Sequence, residues 1–278
     1  MTVTPVGVER RQERTMFPKV GPIPTYGILY FGAIALHFVL ILLFGRRVQV
    51  RWYIAAALGL CFVVGMTVGA KALFDVLHGG LRPRLLVSTA HYMQGGMWGG
   101  PLAYLAMAVP LACLLTARRG AAMDAIAWSL PLPMILAKLG CLCQDCCHGR
   151  ACDWPWAFRF PPGGSAPAGT PLHPTQVYEI IVLTMILVAF VLLDRPAWRG
   201  LMLPWFVLLY GLGRSLVELW RGDRKNTLML GPVSVAQVVL LSAAAIALVV
   251  LAILRSSRRS QCQPAEGTAP DPGISSLE

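Results

Sequence analysis

Apolar residues in this chain fall in long uninterrupted runs, and the charged residues collect in the gaps between them. Seven such runs lie at about 26–44, 52–70, 97–117, 122–140, 175–193, 201–217 and 231–254. Each has roughly the 17–25 residues that carry a helix across the hydrocarbon core of a bilayer. The pattern predicts an all-α integral membrane protein of about seven transmembrane helices in one bundle. The run at 122–140 differs from the rest because it holds Asp124, Pro131, Pro133 and Lys138. Such a span is expected to be buried among other helices or to line a cavity.

Composition agrees with that pattern. Of 278 residues, 56% are hydrophobic and 13% charged, against roughly a quarter charged in a soluble domain. A soluble single-core fold has no use for so many uninterrupted spans. The chain divides into a polar lead at 1–20, a membrane domain at 21–257 and a tail at 258–278 with the composition of disorder. The lead is polar and basic and has no apolar core of a signal peptide. No internal repeat is evident, which argues against an inverted-repeat transporter.

The net charge of +11 points to anionic lipid headgroups more than to nucleic acid, since Lys and Arg flank the spans and form no continuous stripe. Most of that charge is the ordinary cationic excess beside membrane helices. Lys and Arg divide almost evenly between the two sides, so charge alone leaves the orientation open. "RSSRR" directly after the last run favours a cytoplasmic C-terminus.

Ionisable residues inside spans carry the chemical information, because each costs roughly 2.5–3.5 kcal/mol at a helix centre. "YGLGRSLVELWR" places Arg214 and Glu218 four apart on one helix face, with Arg221 one turn later. This is either an ion pair that fixes helix packing or an arginine held by Glu218 and aimed at an anionic group. "HPTQVYE" gathers His173, Gln176, Tyr178 and Glu179 at a helix entrance, where Pro174 suits the first turn. "YMQGGMWGG" carries the pairs Gly95-Gly96 and Gly99-Gly100, suited to close approach of a second helix or of a ligand. Tyr26, taken alone, reads as an interfacial tyrosine.

Two long interruptions, 71–96 and 141–174, are rich in Gly, Pro and polar residues and are of the length that usually serves function. The second begins with five cysteines, Cys141, Cys143, Cys146, Cys147 and Cys152, with His148 among them. Trp154 and Trp156 place it at the membrane interface.

Together "TYGILYFG", "QGGMWGG", "LGCLCQDCCHGR…PWAFRFP", "HPTQVYE", "YGLGRSLVELWR" and "GPVSVAQ" resemble the prolipoprotein diacylglyceryl transferases in order and spacing, from about residue 17 to 255. The resemblance implies a seven-helix bundle in the bacterial inner (cytoplasmic) membrane. Its N-terminus would be outside, its C-terminus cytoplasmic and its loop region on the periplasmic side. It implies transfer of diacylglyceryl from phosphatidylglycerol to the lipobox cysteine thiol of a lipoprotein precursor, whose signal peptide is a partner, with no cofactor and no metal. A non-catalytic or differently specific member of the same fold, handling thiols or metal, is the alternative.

By motif position the resemblance assigns catalytic roles to Arg214 and Glu218, and it adds Tyr26. Substrate contacts fall to Gly95, Gly149, His173 and Tyr178, with Arg150, Lys138 and Lys71 beside them. Several positions depart from the family. Gln94 stands where the family has His, and glutamine takes no proton at neutral pH. His91, one helical turn earlier, is the replacement base. Lys138, Gly140-Cys141, Gln144 and Cys146 stand where the family reads Arg, Gly-Asn, Asn and Glu, and Lys71 stands where Arg is common. With the cysteine loop on the outer side, disulfides are expected. C-x-C-x2-C-C departs from usual zinc spacing, which favours disulfides over a metal site, and Cys141 or Cys143 with Cys152 is the preferred pair, since the adjacent Cys146 and Cys147 lie too close to bridge.

Overall fold

The computed structural model describes residues 19–20, 23–69, 71–72, 76, 99–162, 165–222, 229–230 and 233–262. The expectations for His91, Gln94 and Gly95, for the lead before residue 19 and for the tail after 262 lie outside the described residues.

Helix α1 (Thr25–Arg47) follows Pro24 and ends on Arg46 and Arg47, cations that suit a helix C-terminus. Helix α2 (Trp52–Val64) continues into a widened π turn at Gly65–Gly69. Helix α3 (Gly99–Leu115) crosses it closely. A Cβ on Gly65 would lie 2.8 Å from the Tyr104 backbone nitrogen, and one on Gly100 would lie 2.7 Å from Met66 Sδ. Gly100 therefore serves helix packing.

The expected span at 122–140 is two helices, α4 (Arg119–Ser129) and α5 (Pro131–Cys143), interrupted at Leu130. Pro131 and Pro133 have no backbone N–H to offer the preceding turn, which explains the break. As expected, this stretch is the most enclosed of the candidate spans, 56% buried against 22–39% elsewhere. Asp124 has a local purpose. Its carboxylate accepts the backbone N–H of Gly200 and of Met202, the latter at 3.0 Å, and so caps helix α7 (Met202–Glu218). Helix α6 (Thr175–Leu193) packs between α5 and α7, and helix α8 (Val235–Cys262) packs along α7 and runs on through "RSSRR".

Among the described residues, five stretches are long and apolar enough to cross a membrane: Thr25–Arg47, Trp52–Gly69, Arg119–Cys143, Thr175–Leu193 and Val235–Arg258. Helix α3 is shorter but apolar, and α7 has 17 residues and carries Arg214 and Glu218. The outward faces are apolar, including Phe31, Leu60, Met185, Leu192 and Ile246. This is the surface that hydrocarbon requires of a helix bundle. Short two-residue hairpins, such as Phe158–Arg159 paired with Pro171–Leu172, are the only sheet among the described residues. The fold is all-α, as expected.

The bundle has two chemically different ends. At one end the start of α1 meets the last turn of α5, where a Cβ on Gly140 would lie 3.5 Å from the Tyr26 ring. At the other, Arg47 pairs with Asp194, and Arg258 Nη2 donates to the Arg199 carbonyl at 2.8 Å.

Candidate active site

Three helices each bring ionisable side chains to the first end, about one to two turns inside it. Helix α5 contributes Lys138, α6 contributes Glu179, and α7 contributes Tyr210, Arg214 and Glu218, with Arg221 just beyond its end. Tyr210, Arg214 and Glu218 are spaced four apart and share a face, and Arg221 follows at three. Lys138, Glu179, Arg214 and Glu218 are all buried.

Glu179 is the hub. One carboxylate oxygen, Oε2, accepts Lys138 Nζ at 2.9 Å and faces Arg214 Nε at 3.3 Å. The other, Oε1, accepts the Tyr210 hydroxyl at 2.9 Å. Arg214 reaches its second carboxylate through Nη1, 2.6 Å from Glu218 Oε2, and Arg221 Nε lies 3.8 Å from the same oxygen. Among the described residues, Lys138, Arg214 and Arg221 thus meet Glu179 and Glu218 in a region shielded from water. Such a cluster is held by its own ion pairs.

The cysteine-rich segment wraps this cluster. Its backbone is threaded between the entrance of α6 and the exit of α7. Gly149 N–H donates to the His173 carbonyl at 2.8 Å, Arg150 N–H to the Trp220 carbonyl at 2.8 Å, and Gly222 N–H to the His148 carbonyl at 3.1 Å. A Cβ on Gly149 would stand 2.4 Å from His173 Cβ and 2.6 Å from its carbonyl oxygen. Only glycine allows this closeness. From α6, Thr175 Oγ1 donates to the Cys147 carbonyl and Gln176 Nε2 donates to the Cys146 carbonyl at 2.6 Å.

Outside this layer, His173 Nδ1 lies 3.0 Å from the Tyr178 hydroxyl, which also accepts Trp156 Nε1 at 2.9 Å. Trp154 meets the His173 ring edge-on at 5.1 Å, and Trp220 closes the same group. Partial burial, with the Arg150 charge nearby, holds His173 below the usual imidazole range. It is therefore mostly neutral at pH 7.

The disulfide expectation is overturned. Cys61, Cys113, Cys141, Cys143, Cys146, Cys147 and Cys152 form no disulfide. Cys141 faces Cys146 and Cys147, all three sulfurs lying within 4.8 Å of one another. Cys152 is drawn away because its N–H is bonded to the Pro171 carbonyl, whereas Cys146 N–H is tied back to the Cys141 carbonyl at 3.1 Å. The Cys146 thiol donates to the Cys141 carbonyl at 3.6 Å, and the adjoining Cys141 and Cys146 thiols hold Cys147 well below the ordinary thiol range, with the Lys138 and Arg221 charges acting in the same direction.

Of the residues expected at a site, Arg214, Glu218 and Lys138 stand together. Tyr26 stacks on Tyr30 at 5.8 Å and lies beside the cysteine trio. Gly149 and the Arg150 backbone hold the wrapping segment, His173 and Tyr178 form the aromatic layer, and Lys71 is buried and helical. Glu179 and Tyr210 had no role assigned from sequence. The signal for Tyr210 was its place four residues before Arg214 on the same helix face.

Residues 16–253 match the family model described as Prolipoprotein diacylglyceryl transferase. The chain belongs to the prolipoprotein diacylglyceryl transferase family. A relative from Geobacter sulfurreducens, named phosphatidylglycerol--prolipoprotein diacylglyceryl transferase, is 31% identical over 233 residues, 76% of this chain and 83% of its own length. Proteins of the same name from Clostridium tetani and Mannheimia succiniciproducens are 37% and 39% identical over shorter stretches. These cover 39% and 35% of this chain, and 44% and 36% of theirs.

Proposed function

We propose that this family member moves diacylglyceryl from phosphatidylglycerol to the lipobox cysteine of a lipoprotein precursor. The observation that carries the reading is the buried Arg214, held from two sides by Glu179 and Glu218. Phosphatidylglycerol offers a phosphate, the kind of anion that a guanidinium fixed in this way suits. The precursor sulfur, as thiolate, attacks the glycerol carbon that bears the phosphate. The carbon–oxygen bond breaks, a thioether forms, and glycerol phosphate leaves with the bonding electrons.

Arg214 and Lys138 bind the phosphate and stabilise the charge that grows on it as the bond breaks. Glu179 and Glu218 position Arg214 and do not touch the substrate. The lipid reaches the cluster from the bilayer between helices, and the exposed Trp154 and Trp156 sit at the membrane surface where the precursor arrives. In this reading all seven apolar runs cross the inner membrane, with the N-terminus outside and the C-terminus in the cytoplasm.

The test uses the purified full chain in detergent micelles with phosphatidylglycerol and a synthetic lipobox peptide. Mass spectrometry of the peptide is expected to show a thioether-linked diacylglyceryl group. A folded protein that leaves the peptide unmodified refutes the transferase reading.

A further inference from the structure

The transfer chemistry makes no use of three thiols that meet beside it. Cys141 comes from the last turn of α5, and Cys146 and Cys147 come from the turn that follows. Their sulfurs lie within 4.8 Å of one another. A cation bonded to three thiolates at about 2.3 Å in a plane would set the sulfurs about 4 Å apart, so the trio closes on it with shifts below about 1 Å.

The surrounding structure suits such a site. Neighbouring residues of a regular chain do not aim their side chains at one point, yet Cys146 and Cys147 do. The backbone manages this with two non-glycine residues in the left-handed region, Asp145 at φ 57° and Cys147 at φ 60°. Thr175 and Gln176, both buried, hold the Cys147 and Cys146 carbonyls from outside, which fixes the two ligands without using their sulfurs. Outer partners of this kind orient metal ligands. Lys138 and Arg221 lie close enough to interact with the trio and offset the negative charge of a thiolate complex. Cys141 is fully buried, so the site is shielded from competing water.

We propose that Cys141, Cys146 and Cys147 form a three-thiolate binding site for a soft d10 cation of the Cu(I) or Zn(II) type. Thiolate donors select these ions over hard cations such as Mg²⁺ and Ca²⁺. A planar trio suits Cu(I) as it stands, whereas Zn(II) would keep one open position. Bound metal would tie the end of α5 to the wrapping segment and so steady Lys138.

The experiment uses the reduced full chain, loaded with Cu(I) alone or Zn(II) alone, freed of excess and analysed for metal by mass spectrometry. One equivalent of at least one ion is expected, and the better retained of the two identifies the natural class. Cys147→Ser is expected to lower affinity at least about tenfold, while Cys152→Ser leaves it unchanged. Should Cys147→Ser fail to fold, alkylation of the wild-type chain decides instead. Metal is expected to protect Cys141, Cys146 and Cys147 together and to leave Cys152 open to reagent. Retention equal in Cys147→Ser, no retention by the reduced wild type, or unprotected alkylation of the trio overturns the proposal. None of these readouts depends on lipid transfer, so the site and the transferase reading stand or fall separately.

Discussion

The two ends of the bundle use the same residue, arginine, in opposite ways. At the site end, Arg214 is buried and fixed by two carboxylates from two helices. At the far end, Arg47 pairs with Asp194 while both side chains remain well exposed, at 58% and 35%. Arg258 donates to the Arg199 and Ala197 carbonyls, and Arg255 lies 4.3 Å above the Trp198 ring. Water and salt screen the far-end charges, which act as membrane-surface anchors. The site-end charges sit where an unpaired ion is costly, so each partner is specified. What separates the two arginines is their surroundings, which is why a count of cations along the loops distinguished neither end.

The contrast predicts a graded response to mutation. The largest effect belongs to Glu179→Ala, which removes the carboxylate shared by Lys138 and Arg214. Leaving two buried cations short of a partner should cost about 3–5 kcal/mol, read as a drop in thermal unfolding temperature in micelles. A shift no larger than that of a surface mutant would show that Glu179 is not the hub. Next comes Gly149→Ala. Its added methyl group meets His173 at 2.4 Å, and the forced rearrangement should cost about 1–3 kcal/mol. The same unfolding assay checks it, and unchanged stability would mean that the threaded contact yields easily. At the far end, Asp194→Ala breaks an exposed pair and should change stability by only about 0–1 kcal/mol, with lipid transfer unaltered. A loss of activity there would contradict the division between the two ends.

Much of this was legible in the sequence, and what was not has a physical reason. The helices follow from apolar runs that only a bilayer can satisfy, and Asp124, Pro131, Pro133 and Lys138 correctly marked 122–140 as enclosed. The proline break at Leu130 was not anticipated, because hydropathy is blind to a missing N–H. The pair Arg214 and Glu218 was visible because i,i+4 spacing is a local property. Glu179 was quoted within its motif and given no role, since its partners lie on α5 and α7 and only packing brings them together. The cysteines misled for the same reason. Linear spacing suggested a bridge to Cys152, whereas two left-handed residues and a strand-like tether sorted the thiols otherwise. Gly149 was assigned to substrate by resemblance, and the fold gives it a second reason to be glycine.

The central claim is that Arg214, presented by Glu179 and Glu218, positions a lipid phosphate, and Arg214→Lys tests it most directly. Lysine keeps the charge but cannot span both carboxylates or offer a planar fork to phosphate. In the lipobox-peptide assay, turnover is expected to fall by about 10²–10³-fold, with the protein still folded by thermal unfolding. Turnover equal to the wild type in a folded Arg214→Lys protein would contradict the account.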